Sequence, residues 1–460
     1  MTFRLLRLAA LSLPLFPVSL HATAFSRADL EREVAPLLEQ KSIQAASIAV
    51  VRPDETIAAH FGQLSPDAAA APDDETIYEI GSISKVFTSL LLADAVVRGE
   101  VTLDTLIAKL LPPDVALPDG TGERITLRML ATHTSGLPRI PAELPTDEYT
   151  NPYARYGEAE LWATLRRVRL DFEPGAKAVY SNLAAGLLGT LLARHAGVSY
   201  EQLLRERVLA PLGMTRTAVD LDAEQRRRLA PPFTADGRPW SAWDFQALAG
   251  AGGIRSTLPD MIRFARALLK PEETPLRDAI ELAWAPQKLT ATVSPGGQAL
   301  GWMIAGDRET RWHNGMTGGF HAAIFVSRAN AIATVLLSNR SHPSGTQLAE
   351  KICRAACGRP ARPTPNATRP EVALTPEQID RCVGTFRLNA KMTLVCERRN
   401  NALFVTPTGQ PADRLFAAAS DTFFSRRAPV ELKFELPASG GAAPAVLLIQ
   451  GGRQTRAVRE

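Results

Sequence analysis

The stretch Tyr78-Glu79-Ile80-Gly81-Ser82-Ile83-Ser84-Lys85 runs into an apolar segment, Val86 to Val97, that closes at Gly99. Its composition predicts a helix with a glycine just past its end. Ser82 then falls at a helix start, where the dipole and unpaired backbone N–H groups favour negative charge, which suits both an attacking alkoxide and an oxyanion. Lys85, three residues on, projects from the same face and can meet the hydroxyl. A serine hydroxyl is a poor nucleophile until a neighbouring base takes its proton. The spacing also suits an N-cap serine followed by a surface lysine, and Ser-x-x-Lys alone does not separate the two.

The longer string does. Tyr78 to Lys85 resembles the active-site segment of class C β-lactamases and the related penicillin-binding proteins, DD-peptidases and esterases. Pro174-Gly175, then Val179-Tyr180-Ser181-Asn182 and a helix-like run to Ala196, resembles the Y-x-N motif of the same family. The resemblance implies Tyr180 as proton-transfer partner of Ser82 and Asn182 as a hydrogen-bond donor to the acyl side chain. A phenol of pKa about 10 needs adjacent positive charge to act as a base near neutral pH, and Lys85 is the expected source.

Trp312-His313-Asn314-Gly315-Met316-Thr317-Gly318-Gly319-Phe320 stands where the family has its K-T-G strand, and departs from it. His313 replaces the lysine and Asn314 the threonine. By resemblance, His313, Asn314, Gly315 and Met316 line the substrate, and the oxyanion hole uses the backbone N–H groups of Ser82 and Met316. A lysine offers a permanent cation to a substrate carboxylate, whereas an unperturbed imidazole is mostly neutral at pH 7, so carboxylate binding by this strand is expected to be weaker. Ser344 and Gln347 stand where class C enzymes place an Asn and an Arg for the same carboxylate. Two further segments fit the family without evident chemistry: the turn Thr132-His133-Thr134-Ser135-Gly136-Leu137-Pro138, whose histidine reads as structural, and the glycine turn Gly252-Gly253-Ile254-Arg255-Ser256-Thr257.

The resemblance covers about Leu30 to Cys353 and implies an α/β (α+β) fold of β-lactamase/transpeptidase type, an antiparallel sheet flanked by helices with an all-helical subdomain. The residues themselves predict strands at Ala45 to Val51, Ala322 to Val326 and Ile332 to Leu337, the last two antiparallel because their link is short. At 460 residues and 45% hydrophobic, the chain can bury a large catalytic core and a smaller second one. The proline-rich run Arg359 to Pro370 predicts a linker, and short alternating segments at Met392 to Cys396, Ala402 to Val405 and Ala445 to Ile449 predict a small all-β module. The expected organisation is a signal peptide at 1–24, a hydrolase domain at 25–358, a linker at 359–374 and a β-rich domain at 375–460.

Arg4 and Arg7, an apolar run from Leu8 to Leu20 and small residues around Thr23 read as a secretory signal cleaved after Ala24. That predicts a secreted, periplasmic protein with no membrane span after cleavage. In such a compartment Cys353, Cys357, Cys382 and Cys396 could form two disulfides, with all three connectivities open. The net charge of +4 comes from scattered arginines with no basic block, which argues against nucleic-acid binding. No metal-ligand spacing or nucleotide fingerprint occurs, so neither metal nor cofactor is expected. The expected function is acyl-enzyme hydrolysis of a β-lactam, a D-amino-acid peptide or an ester. A carboxylesterase or D-aminopeptidase of the same fold, and a non-catalytic cell-wall peptide binder, are the alternatives.

Overall fold

Burial on both faces explains why β1 (Ala45–Val51) reads as an apolar run broken only by Ser47: every residue in it is buried. It lies inside a six-stranded sheet, paired antiparallel to β2 (Thr56–Gly62) on one side and β8 (Ile332–Ser338) on the other. The sheet continues through β7 (His321–Ser327), β6 (Arg311–Met316) and β5 (Met303–Ile304), all antiparallel. A separate two-residue ribbon joins β3 (Tyr78–Glu79) to β4 (Arg255–Ser256). The computed structural model describes residues 25–460 except 68, 145–149, 361–368, 390–391, 409–411, 427, 429 and 451–452. The expected signal segment, 1–24, lies outside the described residues.

Period-2 alternation divides the strand residues between two cores. Ile48, Val50, Ala323, Phe325 and Leu336 face a smaller core shared with α1 (Arg27–Glu39). Ala49, Val51, Ile324, Val335 and Leu337 face the larger one, which takes in α2 (Ser84–Val97), α3 (Asn182–Ala196) and α4 (Leu258–Leu269). The smaller core is completed by α5 (Ser344–Ala356). Ser181 caps α3, accepting from Ala184 N, and Gly197 ends it in the left-handed conformation at φ 72°. Apart from the β3–β4 ribbon, the regular elements between α2 and β5 are helical, as the resemblance implied. Among the described residues no helix is long and apolar enough to cross a membrane.

The chain divides into two compact units, one ending at Arg359 and one beginning at Pro360. In the second, β9 (Gly384–Asn389), β10 (Met392–Arg399), β11 (Ala402–Pro407), β12 (Asp413–Ala417), β13 (Thr422–Ser425), β14 (Val430–Phe434), β15 (Ala445–Gln450) and β16 (Arg453–Arg459) form a closed antiparallel barrel, β16 pairing back onto β9. The all-β expectation is met, and closure leaves the barrel no edge strand. Phe386, Phe423 and Phe434 fill its interior.

The two expected disulfides are absent: Cys353, Cys357, Cys382 and Cys396 are all free thiols. Cys353 and Cys357 stand one helical turn apart at the end of α5. The buried Cys382 thiol is directed at the carbonyls of Gln378 and Ser420, each 4.0 Å away.

Just past β8, the buried Asn339 accepts from Ala45 N at 2.9 Å and donates to Leu64 O at 2.9 Å and Pro231 O at 2.8 Å. One amide therefore ties the entry of β1, the segment after β2 and a loop over the sheet's end. Asn339→Ala leaves those backbone groups unpaired and is expected to destabilise the first unit by about 3 kcal/mol. All six tryptophans lie before residue 359, so a lowered urea midpoint in tryptophan fluorescence, with unchanged slope, checks this for that unit alone.

Candidate active site

The chain enters α2 through β3 and one 3₁₀ turn, Gly81–Ile83, and Ser82 sits in that turn. Gly81 is left-handed, at φ 49°, and a Cβ on it would lie 2.8 Å from Met316 N. A Cβ on Gly315 would lie 1.9 Å from Ile80 O and 2.9 Å from Ser82 N. Strand β6 thus crosses the serine turn backbone against backbone, and only glycine fits on either side. The N–H groups of Ser82 and Met316 both sit at this crossing, while the Met316 side chain is exposed.

Lys85 is buried, with Nζ 3.0 Å from Ser82 Oγ and 2.6 Å from Ala251 O. The short helix Ala249–Gly252 that supplies this carbonyl packs tightly on α3: a Cβ on Gly189 would lie 3.1 Å from Gly250 Cα. The residues after it hold the serine turn, because Ile254 N donates to Ser84 Oγ at 3.1 Å and Ile80 N to Ile254 O at 3.0 Å. The glycine turn at 252–257, to which sequence reading assigned no chemistry, is therefore what fixes Lys85 against Ser82. Its arginine, Arg255, is spent on the ribbon, donating to Val219 O, Trp243 O and Asp244 Oδ1.

The Tyr180 hydroxyl acts on Ser82 at close range, and its ring lies 4.8 Å from Lys85 Nζ. The turn after Thr132 places it. His133, itself at φ 60°, stacks on Tyr180 with ring centroids 4.4 Å apart. His133 O accepts Val179 N at 2.9 Å, its Nδ1 accepts Ser181 N at 3.2 Å, and Pro138 O accepts Ser181 Oγ at 2.6 Å. His133 is thus the hydrogen-bonded structural histidine its sequence context suggested, on the back of the Tyr180 ring.

The pocket disfavours charge. Burial, with a smaller contribution from the Arg139 guanidinium, holds Lys85 well below the ordinary lysine range, and burial pushes the Tyr180 phenol well up. This corrects the expectation that a lysine cation depresses the phenol, since desolvation favours a neutral amine beside a neutral phenol. His313, buried with its ring 6.2 Å from Tyr180, is driven down to about 3, by burial first and Lys85 second. Its Nδ1 faces Asn314 O at 2.6 Å, and a carbonyl can only accept, so the neutral ring keeps its proton there and Nε2 is an acceptor.

Of the residues singled out in the sequence, the fold brings Ser82, Lys85, Tyr180, His313 and the backbone at Gly315 and Met316 together. Asn314 alternates to the opposite face of β6, and its Nδ2 donates to Thr346 Oγ1 at 3.0 Å. Thr346 also meets His321 Nε2 at 2.9 Å, so α5 answers Asn314 through Thr346, a residue sequence reading passed over in favour of Ser344 and Gln347. Asn182 Nδ2 donates one N–H to the Tyr153 hydroxyl at 3.3 Å, and its Oδ1 is buried without a partner. Among the described residues no cluster of three or more His, Cys, Asp or Glu side chains could hold a metal ion.

These burials set an acid sensitivity. His133, His313 and His321 have folded pKa values below the unfolded value of about 6.5, those of His313 and His321 at about 3 and about 4. Below pH 6.5 the unfolded chain takes protons that the folded chain refuses, so stability falls as pH drops, by about 1.4 kcal/mol per unit for each histidine. Glu79, pushed up to about 7 by burial, has the opposite sign between its unfolded value and 7 and offsets one of the three. The urea midpoint is expected to fall steadily from pH 6.5 to 5, and His313→Gln should make that slope shallower whatever it does to the midpoint at pH 7.

A family model described as Beta-lactamase matches residues 30–355, which leaves the C-terminal barrel outside the match. A Beta-lactamase of Pseudomonas fluorescens is 26% identical over 354 residues, covering 69% of this chain and 95% of that protein. A Beta-lactamase of Escherichia coli (strain K12) is 25% identical over 348 residues, 68% of this chain and 89% of that one. The D-alanyl-D-alanine-carboxypeptidase/endopeptidase AmpH of Escherichia coli (strain K12) is 33% identical over 227 residues, 49% of this chain and 57% of its own. With the model spanning most of its length, the chain belongs to the Beta-lactamase family and is a serine hydrolase enzyme of the β-lactamase and DD-peptidase type.

Proposed function

We propose that the protein hydrolyses amide or ester carbonyls through an acyl-enzyme on Ser82. The observation that carries this reading is the 3.0 Å hydrogen bond between Ser82 Oγ and Lys85 Nζ, in a pocket that holds the amine well below its ordinary pKa. A neutral amine can accept the proton that Ser82 loses as its oxygen attacks the carbonyl carbon. The carbonyl oxygen then takes its negative charge between the N–H groups of Ser82 and Met316. Tyr180, neutral and close to Ser82, gives its proton to the leaving nitrogen or oxygen and regains one from the Lys85 ammonium. Water enters by the reverse relay, attacks the acyl carbon and frees Ser82.

The acyl side of the substrate meets Asn182, whose unpartnered Oδ1 suits an amide N–H. On the opposite wall His313 presents an uncharged acceptor where β-lactamases present a cation, which favours peptides and esters over efficient β-lactam turnover. The relatives named as β-lactamases and as a D-alanyl-D-alanine-carboxypeptidase support this range of substrates. We also read residues 1–24 as an export signal, so that the mature chain starts at Phe25 in the periplasm.

An alkyl fluorophosphonate is expected to add once, at Ser82, by intact mass and peptide mapping, and Ser82→Ala should abolish the adduct. No adduct from that probe or from a penicillin overturns the proposal. In a turnover panel of nitrocefin, p-nitrophenyl butyrate and a D-Ala-D-Ala peptide, Lys85→Met and Tyr180→Phe should each lower kcat about 10²- to 10⁴-fold on whichever substrate is best. Turnover of none of the three, with a stable penicillin adduct, would identify a binder instead.

A further inference from the structure

The turn that seats Tyr180 ends in Arg139, a residue that neither the family motifs nor the relay above uses. Its backbone is pinned to the start of α3, because Arg139 O accepts Asn182 N at 2.8 Å and Leu183 N at 3.4 Å. The exposed side chain lies with its guanidinium carbon 5.2 Å from the centroid of the Tyr180 ring. Lys85 Nζ is near the same ring, at 4.8 Å. Among the described residues no carboxylate, carbonyl or hydroxyl pairs with the Arg139 guanidinium. Other arginines of this unit are committed: Arg255 to Asp244, Arg128 to Asp104, Arg207 to Glu100.

The site therefore pairs a strand whose His313 is neutral and whose Arg311 is buried and spent on the carbonyls of Trp284, Arg308 and Glu309 with a permanent cation beside the Tyr180 ring, held by backbone to the residues that follow Tyr180. An unpaired surface arginine is ordinary by itself. One whose carbonyl is tied to Asn182 and whose charge stands over the Tyr180 ring, which also lies beside Lys85 Nζ, is positioned relative to the reacting atoms. A guanidinium also suits a carboxylate better than an ammonium does, since its planar fork gives two parallel N–H donors.

We propose that Arg139 is the specificity-determining residue of this site, binding a carboxylate of the substrate from the turn tied to the start of α3 in place of a cation at position 313 of β6. The proposal rests on Ser82 as the reacting group. It assigns the enzyme to substrates that carry an anion within reach of Tyr180, and it reverses the side from which the anion is held.

The test compares two esters with the same reacting bond, 3-carboxyphenyl phenylacetate and 3-carbamoylphenyl phenylacetate. Arg139→Gln is expected to raise KM about tenfold more for the carboxylate ester than for the carbamoyl ester, with Arg139→Lys recovering part of that difference. Equal changes on both esters, or none on either, overturn the proposal. A matched fall in kcat on both with a displaced pH profile also overturns it, and makes Arg139 a positioning residue for Tyr180. Titration calorimetry of the carboxylate ester with Ser82→Ala, with and without Arg139→Gln, reads the same tenfold difference without turnover. Unchanged affinity there refutes the role of Arg139, whereas persistent turnover by Ser82→Ala refutes the reading of Ser82.

Discussion

The site depends on the crossing of two bare backbones at Gly81 and Gly315. A sheet strand and a helix entry normally stand apart by the thickness of their side chains. Here β6 meets the serine turn with no Cβ between them, which brings the N–H groups of Ser82 and Met316 to one place. The rest of the larger unit keeps that crossing in register. β6 is locked through β7 and β8 to β1, and the serine turn is locked by Ile254 on one side and by the buried length of α2 on the other.

Desolvation is the second constraint, and it follows from the first. Packing helices and sheet closely enough to make the crossing buries Lys85, His133 and His313 and half-buries Tyr180. In such surroundings each group is cheapest in its neutral form. A lysine held neutral is a base, a tyrosine held neutral is an acid, and a histidine held neutral is a polar acceptor with no charge to offer. The same burial thus leaves His313 uncharged on β6, while the exposed Arg139 stands beside the Tyr180 ring.

The motifs and the elements they sit on were legible in the sequence. Ser82 and Lys85 before an apolar helix, Tyr180 before a serine-capped one, and β1, β7 and β8 as mainly apolar runs all follow from local chemistry and period. What was missed falls into one kind. Ala251 O, the stacking of His133, the Thr346 link and the placement of Arg139 join residues far apart in the chain and leave no local pattern. The cysteines erred for the same reason, since spacing shows which thiols can approach but not which carbonyls or thiols they settle against. Barrel closure likewise needs β16 to return to β9 across most of the second unit.

By itself, then, the sequence determined which side chains could do chemistry and the order in which they occur, because nucleophile, amine and phenol are matters of residue type and short spacing. Tertiary structure alone decided their burial, their partners and the direction in which their pKa values move. Those properties depend on desolvation and on distances between segments, and neither is set until helix, sheet and turn have packed around the same few atoms.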